Sequence, residues 1–245
     1  MKFSENTLSV LKNFATINSG VVLNPGKTQK TMSSERSILL EATLEDDIPQ
    51  QFGIYDLNNF LGNITTLRNP EITFTKDSVS MDEGDFTLTY LACSPNLIIT
   101  PPADKELTIK NVDVAFTLAN ASFSRLLKLA SMNNLPHLSV VGKDGSLLLQ
   151  IHEKANDTSN HGSTKIGDYA GKDFIATFKS ENLKLIPDDY DVELQIGAFA
   201  KFVNKAGNLK YFIAQETSNV QECLELCNVM FNRSHMFVIH ICDCQ

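Results

Sequence analysis

The segment Gly20-Val-Val-Leu-Asn-Pro-Gly-Lys-Thr28 carries the residue types of a phosphate-binding loop. In such a loop, glycines let backbone N–H groups close on an anion, and a lysine and a hydroxyl follow. The spacing is wrong, because five residues separate the glycines where the loop has four. The order is also reversed, since a helical pattern precedes the segment and a strand pattern follows it, so nucleotide binding is not expected. A second set of reactive residues lies near the end of the chain: Cys223, Cys227, His235, His240, Cys242 and Cys244. These soft ligands are chemically suited to zinc, but they lack the usual Cys-x2-Cys pairs. Residues 217–245 therefore read as an atypical Cys-rich tail, either poorly ordered or added by readthrough, with zinc binding as the lesser alternative. His137, His152 and His161 have no spacing to acids that suggests a catalytic pair, and they read as strand and loop histidines. Asp46-Asp47 and Asp188-Asp189 read as turn residues. Neither Gly-x-Ser-x-Gly nor His-Glu-x-x-His occurs. No catalytic residue, metal or cofactor is expected, and the chain is not expected to be an enzyme.

The elements that could position a binding surface are more informative. With 42% apolar and 20% charged residues, the 245-residue chain can bury a core. Its formal charge of -8 argues against a simple basic nucleic-acid module, because affinity for phosphates comes mainly from Lys and Arg. The start lacks the apolar run of a signal peptide, and no stretch has the length of a membrane span. An intracellular location without a membrane partner is expected, and so are reduced cysteines.

The chain repeats one plan. Leu8-Ser-Val-Leu-Lys-Asn-Phe-Ala-Thr-Ile-Asn18 aligns without a gap on Phe123-Ser-Arg-Leu-Leu-Lys-Leu-Ala-Ser-Met-Asn133. Each stretch precedes an apolar strand, Val21–Leu23 or Leu138–Val141, and then a turn, Asn24-Pro-Gly-Lys27 or Lys143-Asp-Gly-Ser146. Phe52-Gly-Ile-Tyr-Asp leads into a short helix at Leu57–Leu61, and Phe174-Ile-Ala-Thr-Phe into one at Ser180–Leu185. Three alternating strands then follow in each half: Ile72–Thr75, Val79–Met81 and Phe86–Tyr90, against Val192–Ile196, Phe199–Val203 and Leu209–Ala214. Two similar α+β domains are expected, at 1–91 and 106–216. The connector at 92–105 contains three prolines, which are expected to keep it extended and non-helical.

Ser4 is a good N-cap for the first helix, and Phe3 can staple to Leu8. Leu8, Val10, Leu11, Phe14, Ala15 and Ile17 form an apolar arc, leaving Ser9, Lys12, Asn13 and Thr16 on the other face. The second helix repeats this with Ser124, Lys128 and Ser131, and Arg125 at the margin. Residues 6–34 hold Lys12, Lys27 and Lys30 and no acid; residues 118–143 hold Arg125, Lys128 and Lys143 and no acid. Within a net charge of -8, these two stretches carry +6 and leave -14 to the rest. One reading is two ordinary surface helices that lack acids by chance. The other is a face cleared of negative charge so that a polyanion can lie along it, with phosphates contacted and no bases read.

The runs Leu11-Lys-Asn-Phe-Ala-Thr-Ile-Asn-Ser-Gly20 and Ile54-Tyr-Asp-Leu-Asn-Asn-Phe-Leu-Gly62 closely resemble the DNA sliding clamp of T-even-type bacteriophages, a DNA polymerase processivity factor. The likeness runs through about residues 1–216. It implies an α+β DNA-clamp fold with two similar domains per subunit, closed into a homotrimeric ring with helices lining the hole and antiparallel sheets outside. It further implies encircled duplex DNA, a tethered phage DNA polymerase, an ATP-driven clamp loader, late-transcription factors, and work at the replication fork in the host cytoplasm. Matched residue by residue, Lys12, Arg125 and Lys128 fall on hole-lining helices, with Lys2, Lys27, Lys30 and Lys143 as further DNA-facing residues. Clients of such clamps insert a short apolar peptide beside the connector. Leu97, Ile98 and Ile99, with Tyr211 and Phe212, are candidates for that pocket, or else they pin the connector onto the sheets. The tail has no counterpart in the family. The alternative is a phage structural or assembly protein with duplicated α+β domains, which would have no reason to clear acids from two helix faces.

Overall fold

Helix α1 spans Glu5–Ile17, and its first turn is set by Ser4, whose Oγ accepts the Thr7 N–H at 3.1 Å. It buries Val10, Leu11, Phe14 and Ile17, the expected apolar arc, and Thr7 as well. The helix stops where Asn18 turns extended and returns its N–H to the Phe14 carbonyl. The computed structural model describes residues 1–102, 108–109, 111–156 and 158–216. The Cys-rich tail with its zinc alternative, Cys223, Cys227, His235, His240, Cys242 and Cys244, lies outside the described residues.

After α1 come β1 (Val21–Leu23), β2 (Gly26–Met32), β3 (Ile38–Ile48) and β4 (Phe52–Ile54). Strand β1 pairs antiparallel with β4, and β2 with β3. The turn into β2 puts Gly26 at φ 99, a conformation that costs glycine least. Helix α2 (Leu57–Thr66) begins at Asp56, whose Oδ1 accepts the Asn59 N–H at 2.9 Å. It runs five residues beyond the expected Leu57–Leu61, because Ile64 continues the buried stripe of Leu57, Phe60 and Leu61. Strands β5 (Glu71–Phe74), β6 (Ser78–Glu83) and β7 (Phe86–Leu91) then form a three-stranded sheet in that order.

The second half begins with β8 (Val114–Leu118) and helix α3 (Asn120–Met132), followed by β9 (His137–Lys143), β10 (Ser146–His152), β11 (Gly162–Asp168) and β12 (Phe174–Lys179). The last four form a sheet in the order β11-β10-β9-β12. Asp144 and Gly145 both have positive φ, at 49° and 75°, so the Asp-Gly pair makes the tight hairpin between β9 and β10. Strands β13 (Tyr190–Leu194), β14 (Phe199–Asn204) and β15 (Leu209–Ala214) are the last elements of the described residues. From α1 and from α3, the same order unfolds: helix, four strands, a helical element, three strands.

Two expectations need correction. The second helical element of the later half is a single 3-10 turn at Ser180–Asn182, not a helix to Leu185. It has no side-chain N-cap, and Pro187 lies close beyond it. The connector is not wholly non-helical, since Pro95–Leu97 forms one 3-10 turn. Proline is tolerated at the first position of a helix, where its missing N–H has no partner to lose.

The chain forms two compact units that interleave in sequence. Among the described residues, one holds Met1–Pro101, Lys184–Tyr190 and Phe202–Phe212; the other holds those of Pro102–Leu183, Asp191–Lys201 and 213–216. In the first, β15 lies against β3, where the Thr43 N–H donates to the Asn208 carbonyl at 2.8 Å. In the second, β13 and β14 form a hairpin with β8 alongside β13. No helix among the described residues is long and apolar enough to cross a membrane.

Candidate nucleic-acid interface

On α1, Ser9, Lys12 and Thr16 are exposed along one face. Asn13 belongs to the same polar arc but is used internally. Its Nδ2 donates to the Lys184 carbonyl at 2.7 Å, and its Oδ1 accepts the Tyr211 hydroxyl at 2.9 Å. Lys184 in turn donates from Nζ to the Thr16 carbonyl at 2.6 Å. A cation thus sits at the carbonyl end of α1, where the helix dipole favours positive charge, although the helix has no base in its own last turn. Lys184 shares the Thr16 end of α1's exposed face, and no local pattern flagged it, because it lies in a different part of the chain.

On α3, Arg125, Lys128 and Ser131 are exposed, and Phe123, Leu126 and Ala130 are buried. Lys2, Lys27 and Lys143 are exposed too. Lys30 is different. It lies opposite Glu41 across the β2–β3 pair, with Nζ 3.0 Å from Glu41 Oε2, and Lys210 holds the other oxygen at 3.0 Å. Burial alone would raise the Glu41 pKa, but the two ammonium groups outweigh it and hold the carboxyl below its ordinary range. Asp46 is brought to the start of α1, where its Oδ2 accepts the Ser4 N–H at 2.6 Å. The acid-free stretch of sequence therefore acquires two acids in space. Neither is on α1, whose own first turn carries the exposed Glu5 one turn before Ser9.

Along the connector, Ile98 is buried while Leu97 and Ile99 are 68% and 43% exposed. Tyr211 and Phe212, expected beside that pocket, are buried instead. The Tyr211 hydroxyl accepts the Ile186 N–H at 3.1 Å and donates to Asn13, and burial pushes its pKa up to about 12.

The histidines are less ordinary than their sequence suggested. His137 and His152 face each other across β9 and β10 and stack with ring centroids 5.6 Å apart. The Lys154 N–H donates to His137 Nδ1 at 3.1 Å, so the neutral ring carries its proton on Nε2. That nitrogen lies 2.9 Å from Glu216 Oε2, an atom that accepts no hydrogen bond, so the contact is a close approach without alignment. Ser139 Oγ is shared at 2.8 Å with His152 Nε2 and with Thr177 Oγ1. A serine, two histidines and a glutamate are gathered here, but Ser139 has no exposed surface to meet a substrate. Burial, and then the His137 charge, depress the His152 pKa.

Comparison with known proteins decides between the readings. Residues 3–98 match the profile of the family described as DNA polymerase processivity factor. The chain is 28% identical to the sliding clamp of Vibrio phage KVP40, over 88% of this chain and 99% of that one. It is also 28% identical to the sliding clamp of Enterobacteria phage T4, over 91% of this chain and all of that one. The likeness to phage sliding clamps thus extends over nearly the whole chain. Among solved structures, the chain resembles A. fulgidus PCNA bound to the C-terminal region of FEN-1, with a TM-score of 0.65 at 11% identity, covering 89% of this chain and 100% of that one. The expected α+β DNA-clamp fold with two similar domains is the fold it has. The likeness to phage sliding clamps and polymerase processivity factors sets the structural-protein alternative aside.

Proposed function

We propose that the clamp works as a closed homotrimeric ring that encircles duplex DNA, with α1 and α3 of each subunit lining the hole. The observation that carries this is the pair of exposed helix faces bearing Lys12 on one and Arg125 and Lys128 on the other, with Glu5 in the first turn of α1 the one acid on either helix. Sparse cations among serine and threonine hydroxyls attract phosphates without reading bases, as sliding requires. Lys2, Lys27 and Lys143 add to this field. Lys30, neutralised by Glu41, adds less. The domain plan of 1–91, connector 92–105 and 106–216 supplies two helix faces per subunit, hence six in a trimer. Closure has material to work with. Among the described residues β7 and β11 each pair on one side only, and β7 exposes Phe86 and Leu91.

In this reading the clamp is loaded by an ATP-driven loader, tethers the phage DNA polymerase and serves late-transcription factors, acting by topology with no catalytic step of its own at the replication fork in the host cytoplasm. The A. fulgidus relative is bound to a C-terminal segment of FEN-1. We place an equivalent apolar contact for clients at Leu97 and Ile99, with Ile98 beneath them. Tyr211 and Phe212, being buried, offer no surface to a client. Measurement of mass in solution tests the ring. A species of three times 27.2 kDa is expected, and a monomer at every concentration would overturn it.

A further inference from the structure

Asn18 is the first residue beyond α1, and its side chain ties together segments that are far apart in sequence. Its Nδ2 donates to the Met32 carbonyl at 2.9 Å and to the Ile99 carbonyl at 3.1 Å, while its Oδ1 accepts the Gly20 N–H at 3.1 Å. Two donors and an acceptor on one short side chain are what an amide alone provides. Aspartate would place an anionic oxygen against two carbonyls, and serine would not reach.

The neighbouring Gly20 completes the anchor. A Cβ there would lie 3.1 Å from the Ile54 and Tyr55 carbonyl oxygens and 3.4 Å from Ile98 Cγ1, so the connector packs against bare backbone. Ile98 is extended, at φ -114 and ψ 133, and side chains of extended residues alternate in direction. With Ile98 turned inward and the Ile99 carbonyl held, Ile99 points outward. Leu97 closes the 3-10 turn just before and is exposed as well.

We propose that Asn18 is a positioning residue for client binding: it fixes the connector at Ile99 so that Leu97 and Ile99 are presented, pre-ordered, to an apolar client segment, and it joins that presentation to the end of α1. This rests on the client site placed above at the connector. A segment already held in its binding geometry spares the client the entropy of ordering it, so releasing it weakens binding by roughly three- to tenfold.

The test measures affinity of the full-length clamp for the phage's own DNA polymerase without DNA, together with amide hydrogen exchange and thermal melting. Asn18→Ala is expected to weaken polymerase binding and to speed exchange at residues 97–99. Asn13→Ala also removes two hydrogen bonds at α1, from the Lys184 carbonyl and the Tyr211 hydroxyl, but touches no connector residue. It should lower the melting temperature and leave affinity within twofold. Leu97→Ser tests the underlying site. Weakening by Leu97→Ser and Asn18→Ala with none by Asn13→Ala supports the proposal. Weakening by Leu97→Ser alone, or equal weakening by both asparagine variants, overturns the role of Asn18 and leaves the client site standing. Unchanged affinity for Leu97→Ser overturns the client site, and the role of Asn18 with it.

Discussion

Helices α1 and α3 share a sequence pattern and differ in how they are held. α1 starts on a serine cap, ends under the Lys184 ammonium and is tied by Asn13 to buried Tyr211. α3 starts at Ala119 with no side-chain cap, and leaves Leu129 and Met132 exposed near its end. The first helix is anchored by polar contacts at three points along its length, the second chiefly by burial of Phe123, Leu126 and Ala130. The shared feature is the exposed cationic face, with Glu5 at the start of α1 as its one acid. The cationic face is therefore the part of the pattern to assign to function, and the anchoring is the part free to vary between the two copies.

The largest effect should come from attacking the shared feature. Replacing Lys12, Arg125 and Lys128 together with Glu should leave folding intact, because all three are exposed. Processive synthesis should fall at least about tenfold at physiological salt, since phosphate contacts carry most non-specific affinity. Synthesis at the parental rate on primed circular DNA would remove α1 and α3 from the hole. Comparing Lys12→Glu with Arg125→Glu/Lys128→Glu then shows whether the two faces contribute alike.

The difference in anchoring predicts opposite results at the two N-termini. Ser4→Ala should destabilise by about 1 kcal/mol, the usual cost of a lost cap. Ala119→Ser, placed at φ -73 and ψ 130, should stabilise by roughly 0.5–1 kcal/mol by supplying the cap α3 lacks. Denaturant midpoints would show both. No gain from Ala119→Ser would mean that the α3 N-terminus already finds its partners elsewhere.

The smallest effect concerns pH. His152 has its pKa depressed below 6.5 by burial and then by His137, so the folded form favours the neutral ring. Its contribution to stability is full above 6.5 and declines as pH falls through that value, because the unfolded chain takes up the proton first. Glu41, with its folded pKa lowered, adds a loss only in the more acidic range below its ordinary 4.5. Thermal melting followed from pH 8 to 5.5 should therefore decline mainly below 6.5, and His152→Gln should flatten that decline.

Much of the fold was legible because it is written in local patterns. The α1 cap and apolar arc, the Asp144-Gly145 hairpin and the strand at Leu209–Ala214 each depend on residues a few positions apart. The end of α2 and the shrunken helix at Ser180 were misjudged, because how far a helix runs is settled by the surface available to bury it. The longest strand, β3, lacked the turn signals that marked the others.

From the sequence alone came the duplication, the two acid-free stretches with Lys12, Arg125 and Lys128, and the family resemblance in Leu11–Gly20. Each is a property of residue types in order along the chain. Only the tertiary structure decided that Lys30 is neutralised by Glu41, that Lys184 caps α1, that Asn13 is internal and that Asn18 holds the connector. The reason is physical. Helical and strand periodicity report which face of an element is apolar, but the partner of a polar group on the other face comes from strands and loops whose distance along the chain leaves no trace in the local pattern.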